Sequence, residues 1–334
     1  MKSEIESLFT DDILDQAIEK FDLNKKETKV HNSFESFIYY SEWQGKPCIL
    51  RITHSSHRTT DQIKGELDWI NFLADRGAPV CQAYPSPNGE FVERVDVADK
   101  TSYFVVSVFE KAEGEFLHNN IELLTQELVQ KWGKLIGMLH RLAKDYPEPS
   151  ENMKRSEWSH YIPKIEQYLA DDSVALAKAK EIFTKINALP KDHNSFGLIH
   201  YDAHQANFLI NNGEIALFDF DDSEYSWFIA DIAVIMITIF WGGLNGEQNQ
   251  EEFAQWFFEN IMIGYNEENS LSNWWLKQLP NFIRLRHMLL YSVLKQELKL
   301  NPESSYKPLV DQWKPMIEND IPFIELEFLN DYQV

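Results

Sequence analysis

From position 198 to 221 the chain reads L-I-H-Y-D-A-H-Q-A-N-F-L-I-N-N-G-E-I-A-L-F-D-F-D. Asp202 sits in a short polar stretch after an apolar run, and Asn207 follows five positions later. Two apolar runs flank Asn211-Asn212-Gly213, and Asn-Gly between such runs signals a β-hairpin. Asn207 and Asp219 lie six positions to either side of Gly213. The spacing therefore predicts that an amide and a carboxylate emerge together at the open end of the hairpin. Hard oxygens of this kind suit one or two Mg²⁺ ions, which keep waters and complete their shell with substrate phosphates. A carboxylate at Asp202 could orient a hydroxyl and accept its proton while the metal shields a phosphate in transfer. His200 reads as a hydrogen-bonding brace for this loop rather than as a reacting group.

The surrounding elements must position these groups. Residues 10–21 suit a short helix capped by Thr10. Strands are expected over 34–43 and 47–53 with a turn at Gln44-Gly45, and again over 90–95 and 102–109. Between them, Ile63, Leu67, Ile70 and Leu73 share a helical face over 61–75, and Gly77 ends it. After Phe109 the pattern turns helical, first over 121–145, where Leu128, Trp132, Leu135, Ile136 and Leu139 form one side. From about 247 onward amphipathic segments dominate, with breaks expected near Pro280, Pro302 and Pro322. The run 228–244 is short for a bilayer and carries Asp231, which reads as a buried core helix. The polar stretch Glu110–Gly114 is the expected boundary between a sheet-rich first part and a helical second part.

The bulk composition narrows the class. With 334 residues, the chain exceeds what one compact core usually organises. Hydrophobic residues make up 44%, enough for a packed core. The formal net charge of -22 repels phosphate backbones and argues against nucleic-acid binding. Two cysteines, Cys48 and Cys81, give no metal or redox spacing and suit a reducing, cytoplasmic setting. The first nine residues lack the pattern of a signal peptide.

The order H-x-D-x-x-x-x-N, hairpin, D-F-D resembles the catalytic and metal-binding loops of the protein-kinase-like fold. It is most similar to the aminoglycoside phosphotransferase family, which includes choline, homoserine, fructosamine and methylthioribose kinases and some bacterial protein kinases. The motif-level match lies within 198–235. The resemblance implies an α+β, two-lobed fold. Residues 1–109 would form an antiparallel-sheet lobe with one helix, 110–114 a hinge, and 115–334 a mostly helical lobe carrying the catalytic loop and acceptor site. ATP would lie in the cleft, and its γ-phosphoryl group would pass to a hydroxyl of a small molecule such as an amino sugar or amino alcohol, or of a protein Ser/Thr.

Carried over by position, Asp202 becomes the catalytic base and Asn207 and Asp219 the Mg²⁺ ligands. Asp221 stands where protein kinases have the glycine of Asp-Phe-Gly. Asp231, in Ala230-Asp-Ile-Ala233, matches the buried helix aspartate that braces the catalytic loop. Arg51, in Ile49-Leu-Arg-Ile52, occupies the place of the nucleotide-binding lysine, with Glu66 as its ion-pair partner. Arginine holds phosphates bidentately but differs from lysine in reach and shape. The phosphate-covering stretch His31–Ser36 lacks glycine, so small polar residues such as Ser33 would replace it. Glu110 and Ala112 would offer backbone groups to adenine. Gly137-Met-Leu-His140 resembles a family helix ending in Leu-His, with His140 structural.

Two other readings compete. The arginine and the missing glycines suit a catalytically weak, pseudokinase-type nucleotide-binding module, against which the intact Asp202, Asn207 and Asp219 argue. His200, Asp202 and His204 at alternate positions could ligate zinc or manganese in a metal-dependent hydrolase, although no further ligand cluster is evident. For the acceptor, Trp227, Trp241, Trp256, Trp274 and Trp275 with acids such as Asp222, Glu224, Glu251 and Glu252 suit a cationic small molecule. An aromatic core with a solvated acidic face explains the same residues.

Overall fold

The computed structural model describes residues 3–33, 35–98, 102–147, 149–244, 246 and 249–332, with the backbone alone at 3, 32 and 33. The chain divides into two compact units. The first comprises Met1–Gly114, Tyr146–Arg155 and Ala216–Asp221, and the second Glu115–Asp145, Ser156–Ile215 and Asp222–Val334.

The first unit begins with α1 (Ser3–Leu8) and α2 (Asp11–Lys20). Thr10 caps α2, its hydroxyl accepting the Ile13 N–H at 3.4 Å. An antiparallel sheet follows: β1 (Lys29–Ser33), β2 (Phe37–Trp43), β3 (Lys46–His54), then α3 (Thr60–Ala74), β4 (Ala83–Tyr84), β5 (Glu93–Asp96) and β6 (Tyr103–Glu110). The sheet order is β1-β2-β3-β6-β4, with β5 also paired to β6. Gln44 and Gly45 turn β2 into β3 with φ of 49° and 80°, a left-handed geometry that glycine adopts freely. The inward residues Leu50, Ile52, Val106 and Val108 alternate along β3 and β6, and Ile13, Ala17 and Ile18 of α2 join the same core. Thr59 and Gln62 close a capping box on α3.

The predicted strand from position 34 begins at Phe37, and Phe34 lies outside the described residues. The strands β1 and β4 were not expected: β1 mixes charged and polar residues, and β4 has two residues. Cys48 and Cys81 are free and buried. Burial, then the charges of Glu42 and Glu110 respectively, pushes each thiol up to about 12.

The second unit contains α4 (Gln126–Asp145), α5 (Ile162–Tyr168), α6 (Ser173–Asn187), β7 (Phe196–Ile199), β8 (Phe208–Asn211), β9 from Glu214, β10 (Glu224–Trp227) and α7 (Ile229–Trp241). α8 (Gln250–Tyr265), α9 (Asn273–Leu276), α10 (Leu279–Leu300) and α11 (Lys307–Glu318) complete it. The hairpin of β8 and β9 (Glu214–Leu217) turns at Asn212 and Gly213, with φ of 52° and 78°. Every residue of α7 from Ile229 to Phe240 is buried, as expected for its apolar run. Among the described residues no helix is long and apolar enough to cross a membrane. The break expected near Pro280 falls between α9 and α10, and Pro280 itself lies in the first turn of α10, where the nitrogens need no helical partner.

Helices α4 and α8 pack backbone to backbone. A Cβ built on Gly133 would collide with the Ile261 carbonyl, and one on Gly264 with the Gln130 carbonyl. A Cβ on Gly137 would come to 2.5 Å from the Tyr265 carbonyl oxygen. At these three positions only glycine lets the two helices lie this close.

Candidate active site

β7 delivers the chain into the loop His200–Asn207, and β8 takes it away. Tyr201, between them, holds φ of 64°, a left-handed conformation unusual for a bulky residue. What stabilises that turn is buried Asp231 at the start of α7. Its Oδ1 accepts the Tyr201 N–H at 2.6 Å, and its Oδ2 accepts the His200 N–H at 3.2 Å. His140 of α4 reaches the same Oδ2 from Nε2 at 3.0 Å. A carboxylate only accepts, so Nε2 carries the proton. Burial, outweighing Asp231, pulls the His140 pKa down and keeps the ring neutral. Nδ1 therefore accepts the Tyr265 O–H at 2.9 Å, and the Tyr265 oxygen accepts from Asn269 Nδ2 at 2.7 Å. Three helix-borne side chains and Asn269 thus fix the backbone on which Asp202 stands. The lone acid in the apolar helix has the donors that its burial demands.

The Asp202 carboxylate accepts from Arg286 Nη2 at 2.6 Å and Asn207 Nδ2 at 2.8 Å, and lies 3.2 Å from His204 Nε2. Burial works to raise its pKa. The His204 hydrogen bond and charge, with Arg286 and His200, outweigh burial and hold it at about 2. Asp202 is therefore ionised across the physiological range. Asn207 Nδ2 also donates to the Asp202 carbonyl oxygen at 2.9 Å. Two acceptors on one side fix which end of the amide is nitrogen, and Oδ1 turns the other way. That oxygen is a hard, neutral donor of the kind a nucleotide-bound divalent cation takes.

In the first unit, Arg51 of β3 donates Nη1 and Nη2 to the two carboxylate oxygens of Glu66 of α3, both at 2.8 Å. Burial opposes the Arg51 charge, but Glu66, then Asp221 and Asp219, more than compensate and raise its pKa. Asp219 is exposed and holds φ of 64°, another left-handed non-glycine residue. Asp221 is bound differently. Its carboxylate meets Arg58 Nε at 3.1 Å and His57 Nε2 at 3.0 Å, and its carbonyl accepts from Arg58 and Arg155. Burial works to raise its pKa, but the His57 hydrogen bond and the charges of Arg58 and Arg51 hold the carboxyl far below the usual range. Asp221 therefore anchors the segment after Asp219, with its carboxylate committed to protein cations.

Glu110 ends β6, and Ala112 follows in the same unit. The Ser33 side chain lies outside the described residues. His200, Asp202 and His204 do not form a metal cluster among the described residues. His200 Nδ1 accepts the Asp202 N–H and His204 Nδ1 accepts the Ala206 N–H. The group that could share an ion there is Glu35, His57 and Asp221.

Arg286 is the residue that sequence reasoning missed. Its neighbours at helical spacing are Phe282, Ile283, Leu289 and Leu290. An arginine on the apolar face of a helix signals a buried partner, and that signal was available.

The sequence profile of the phosphotransferase enzyme family matches residues 28–266. The amicoumacin kinase of Bacillus subtilis (strain 168) is 32% identical over 329 residues, 97% of each chain. The structure of amicoumacin kinase hAmiN in complex with AMP-PNP, Ca²⁺ and Ami superposes with a TM-score of 0.94 at 30% identity, covering 99% of this chain and 100% of that one. A microcompartment-associated aminopropanol kinase shares the fold at a TM-score of 0.69 and 21% identity, covering 92% and 94%.

Proposed function

Because this chain belongs to the phosphotransferase enzyme family and moves a phosphoryl group from ATP to a small-molecule hydroxyl, we propose that its acceptor is amicoumacin or a close chemical relative. The observation that carries this reading is similarity to amicoumacin kinases along nearly the whole of both chains, the helical second unit included. A kinase that had kept only its nucleotide machinery would diverge in the acceptor-binding half.

Asp202 is proposed as the base, and Asn207 and Asp219 as the protein ligands of Mg²⁺. The bound metal would shield the charge of the phosphates. The hydroxyl oxygen of the acceptor forms a bond to the γ-phosphorus, the bond from that phosphorus to the ADP oxygen breaks, and the hydroxyl proton goes to Asp202. A carboxylate with a pKa of about 2 is a weak base. In a loose transition state the proton leaves late, so the first task of Asp202 is to orient the hydroxyl. Arg286 and Asn207 hold the carboxylate for that task. Arg51, kept in place by Glu66, is proposed to hold phosphate oxygens, and the backbone at Glu110 and Ala112 to meet adenine in a hinge over 110–114. The cytoplasm, where ATP is supplied, is the proposed location.

The test is incubation of the purified protein with ATP, Mg²⁺ and amicoumacin, followed by mass spectrometry. The expected result is a monophosphorylated product, one ADP per product, and no reaction in excess EDTA until Mg²⁺ is restored. ATP turnover with another hydroxyl compound but none with amicoumacin would move the acceptor assignment elsewhere.

A further inference from the structure

Part of the chain between α4 and α5 belongs to the first unit. The chain leaves the second unit after Asp145 and returns to it at Ser156, and Tyr146–Arg155 packs as part of the first. Along this stretch it grips α3. Tyr146 gives its hydroxyl to Asp68 at 2.5 Å, and its ring meets Trp69 and Phe72 edge-on at 4.8 and 5.0 Å. Farther on, backbone lies against backbone: a Cβ built on Gly65 would come to 1.9 Å from the Met153 carbonyl oxygen. Any other residue at 65 would push the two segments apart. Gly65 directly precedes Glu66, the residue that holds Arg51.

The stretch ends on Arg155, which is buried and meets two main-chain carbonyls. Its Nη1 donates to the Gln62 carbonyl of α3 at 3.0 Å, one turn before Glu66. Its Nη2 donates to the Asp221 carbonyl, two positions after Asp219. Arg58, just before α3, gives Nη2 to that same Asp221 carbonyl at 3.1 Å. A guanidinium presents its donors in a rigid planar fork. One such group therefore sets the spacing between the helix turn that bears Glu66 and the segment that bears Asp219. The left-handed conformation of Asp219 persists only where the surrounding structure over-determines it, and the clamp on Asp221 supplies part of that support.

We propose that Tyr146–Arg155 is a strap that holds α3 in its ion-paired position, and that Arg155 is the positioning residue that sets Asp219 for the metal and Glu66 for Arg51 together. It acts through two carbonyls and not on the nucleotide itself. The inference rests on the reading of Asp219 as a metal ligand and of Arg51 as a holder of phosphate.

The test reads binding and backbone protection, so it needs no acceptor. Affinity for AMP-PNP is titrated by calorimetry in Mg²⁺ and in EDTA, and amide hydrogen exchange is followed by mass spectrometry. Arg155→Gln, Arg155→Lys and Tyr146→Ala are compared with the parent, with melting curves run alongside. Arg155→Gln should weaken binding in Mg²⁺ about 10- to 100-fold, with a smaller change in EDTA, where Asp219 has no ion to hold. Exchange should quicken over 62–74 and 216–221 and stay as in the parent in α4 and α8. Arg155→Lys spans one carbonyl at a time and should fall between, and Tyr146→Ala should quicken exchange in α3. Parent-like binding and exchange in Arg155→Gln would overturn the proposal. So would equal losses in Mg²⁺ and EDTA with exchange raised evenly through all the helices, which is the mark of plain destabilisation. If Arg155→Gln does not fold, Arg155→Lys decides by the same two readouts. If the parent binds AMP-PNP no better in Mg²⁺ than in EDTA, the metal-ligand reading of Asp219 fails, and the exchange pattern alone decides the strap.

Discussion

Replacing Asp202 with asparagine should cost both catalysis and stability, and the two losses can be separated. The native carboxylate takes Arg286 Nη2 at 2.6 Å and Asn207 Nδ2 at 2.8 Å, with His204 Nε2 at 3.2 Å. An amide offers one oxygen. Turned toward Arg286, it presents its NH₂ to the donors of Asn207 and His204; turned the other way, it presents NH₂ to Arg286. Either way at least one charge-assisted hydrogen bond is lost, at about 1.5–3 kcal/mol, and the buried guanidinium loses its counter-charge. We expect a stability loss of about 2–4 kcal/mol, read by urea denaturation. Loss of a positioned general base should lower kcat about 10²- to 10⁴-fold, or about 3–5 kcal/mol. ADP release would be measured at saturating substrates well below the variant's melting temperature, with nucleotide affinity titrated separately. A kcat within about threefold of the parent would remove Asp202 from the proton transfer. Unchanged stability would refute the structural role of its pair with Arg286.

Two further outcomes follow from buried charges. Arg51→Lys keeps the charge but loses the two-pronged contact with Glu66, so it should cost about 2 kcal/mol of stability and raise the KM for ATP; a variant equal to the parent in both would detach Arg51 from the nucleotide. Burial holds His287 at about 4, below the ordinary histidine value of 6.5, so the unfolded chain protonates first as pH falls. Stability from this group is complete above pH 6.5 and declines toward pH 4 by about 3 kcal/mol. His287→Phe should flatten the denaturation midpoint against pH across that interval. An unaltered slope would show that the ring titrates normally.

The layout of the central loop was legible because it is local. The Asn-Gly turn fixes the β8–β9 hairpin, and Asp202, Asn207 and Asp219 fall within a few residues of it. The pairing of Arg51 with Glu66 was legible for a similar reason, since β3 leads into the capped α3 within one supersecondary unit. What stayed hidden spans long separations. Arg286 reaches Asp202 from 84 residues away, and Tyr265 reaches His140 from 125. Periodicity reports which face of a helix is buried and says nothing of what it meets. The acids were a milder case: Glu224 and Asp222 were noted as amine candidates, but an apolar-polar count does not reveal that Glu224 is fully buried. β1 and β4 were missed because edge strands are held by backbone bonding, which leaves little mark on side-chain pattern.

The glycine contacts between α4 and α8 make distant positions hostage to one another. Adding one methyl group at position 137 would press on the Tyr265 carbonyl and push the two helices apart. Tyr265 and His140 sit on those two helices, and their hydroxyl–imidazole contact is one link from the aspartate that shapes the turn at Tyr201. A substitution far along the chain from any reacting group would therefore reach the chemistry as a small displacement. Selection on turnover would then police Gly137 as strictly as it polices the loop, and a library randomised at that position should yield folded but sluggish enzymes rather than neutral ones.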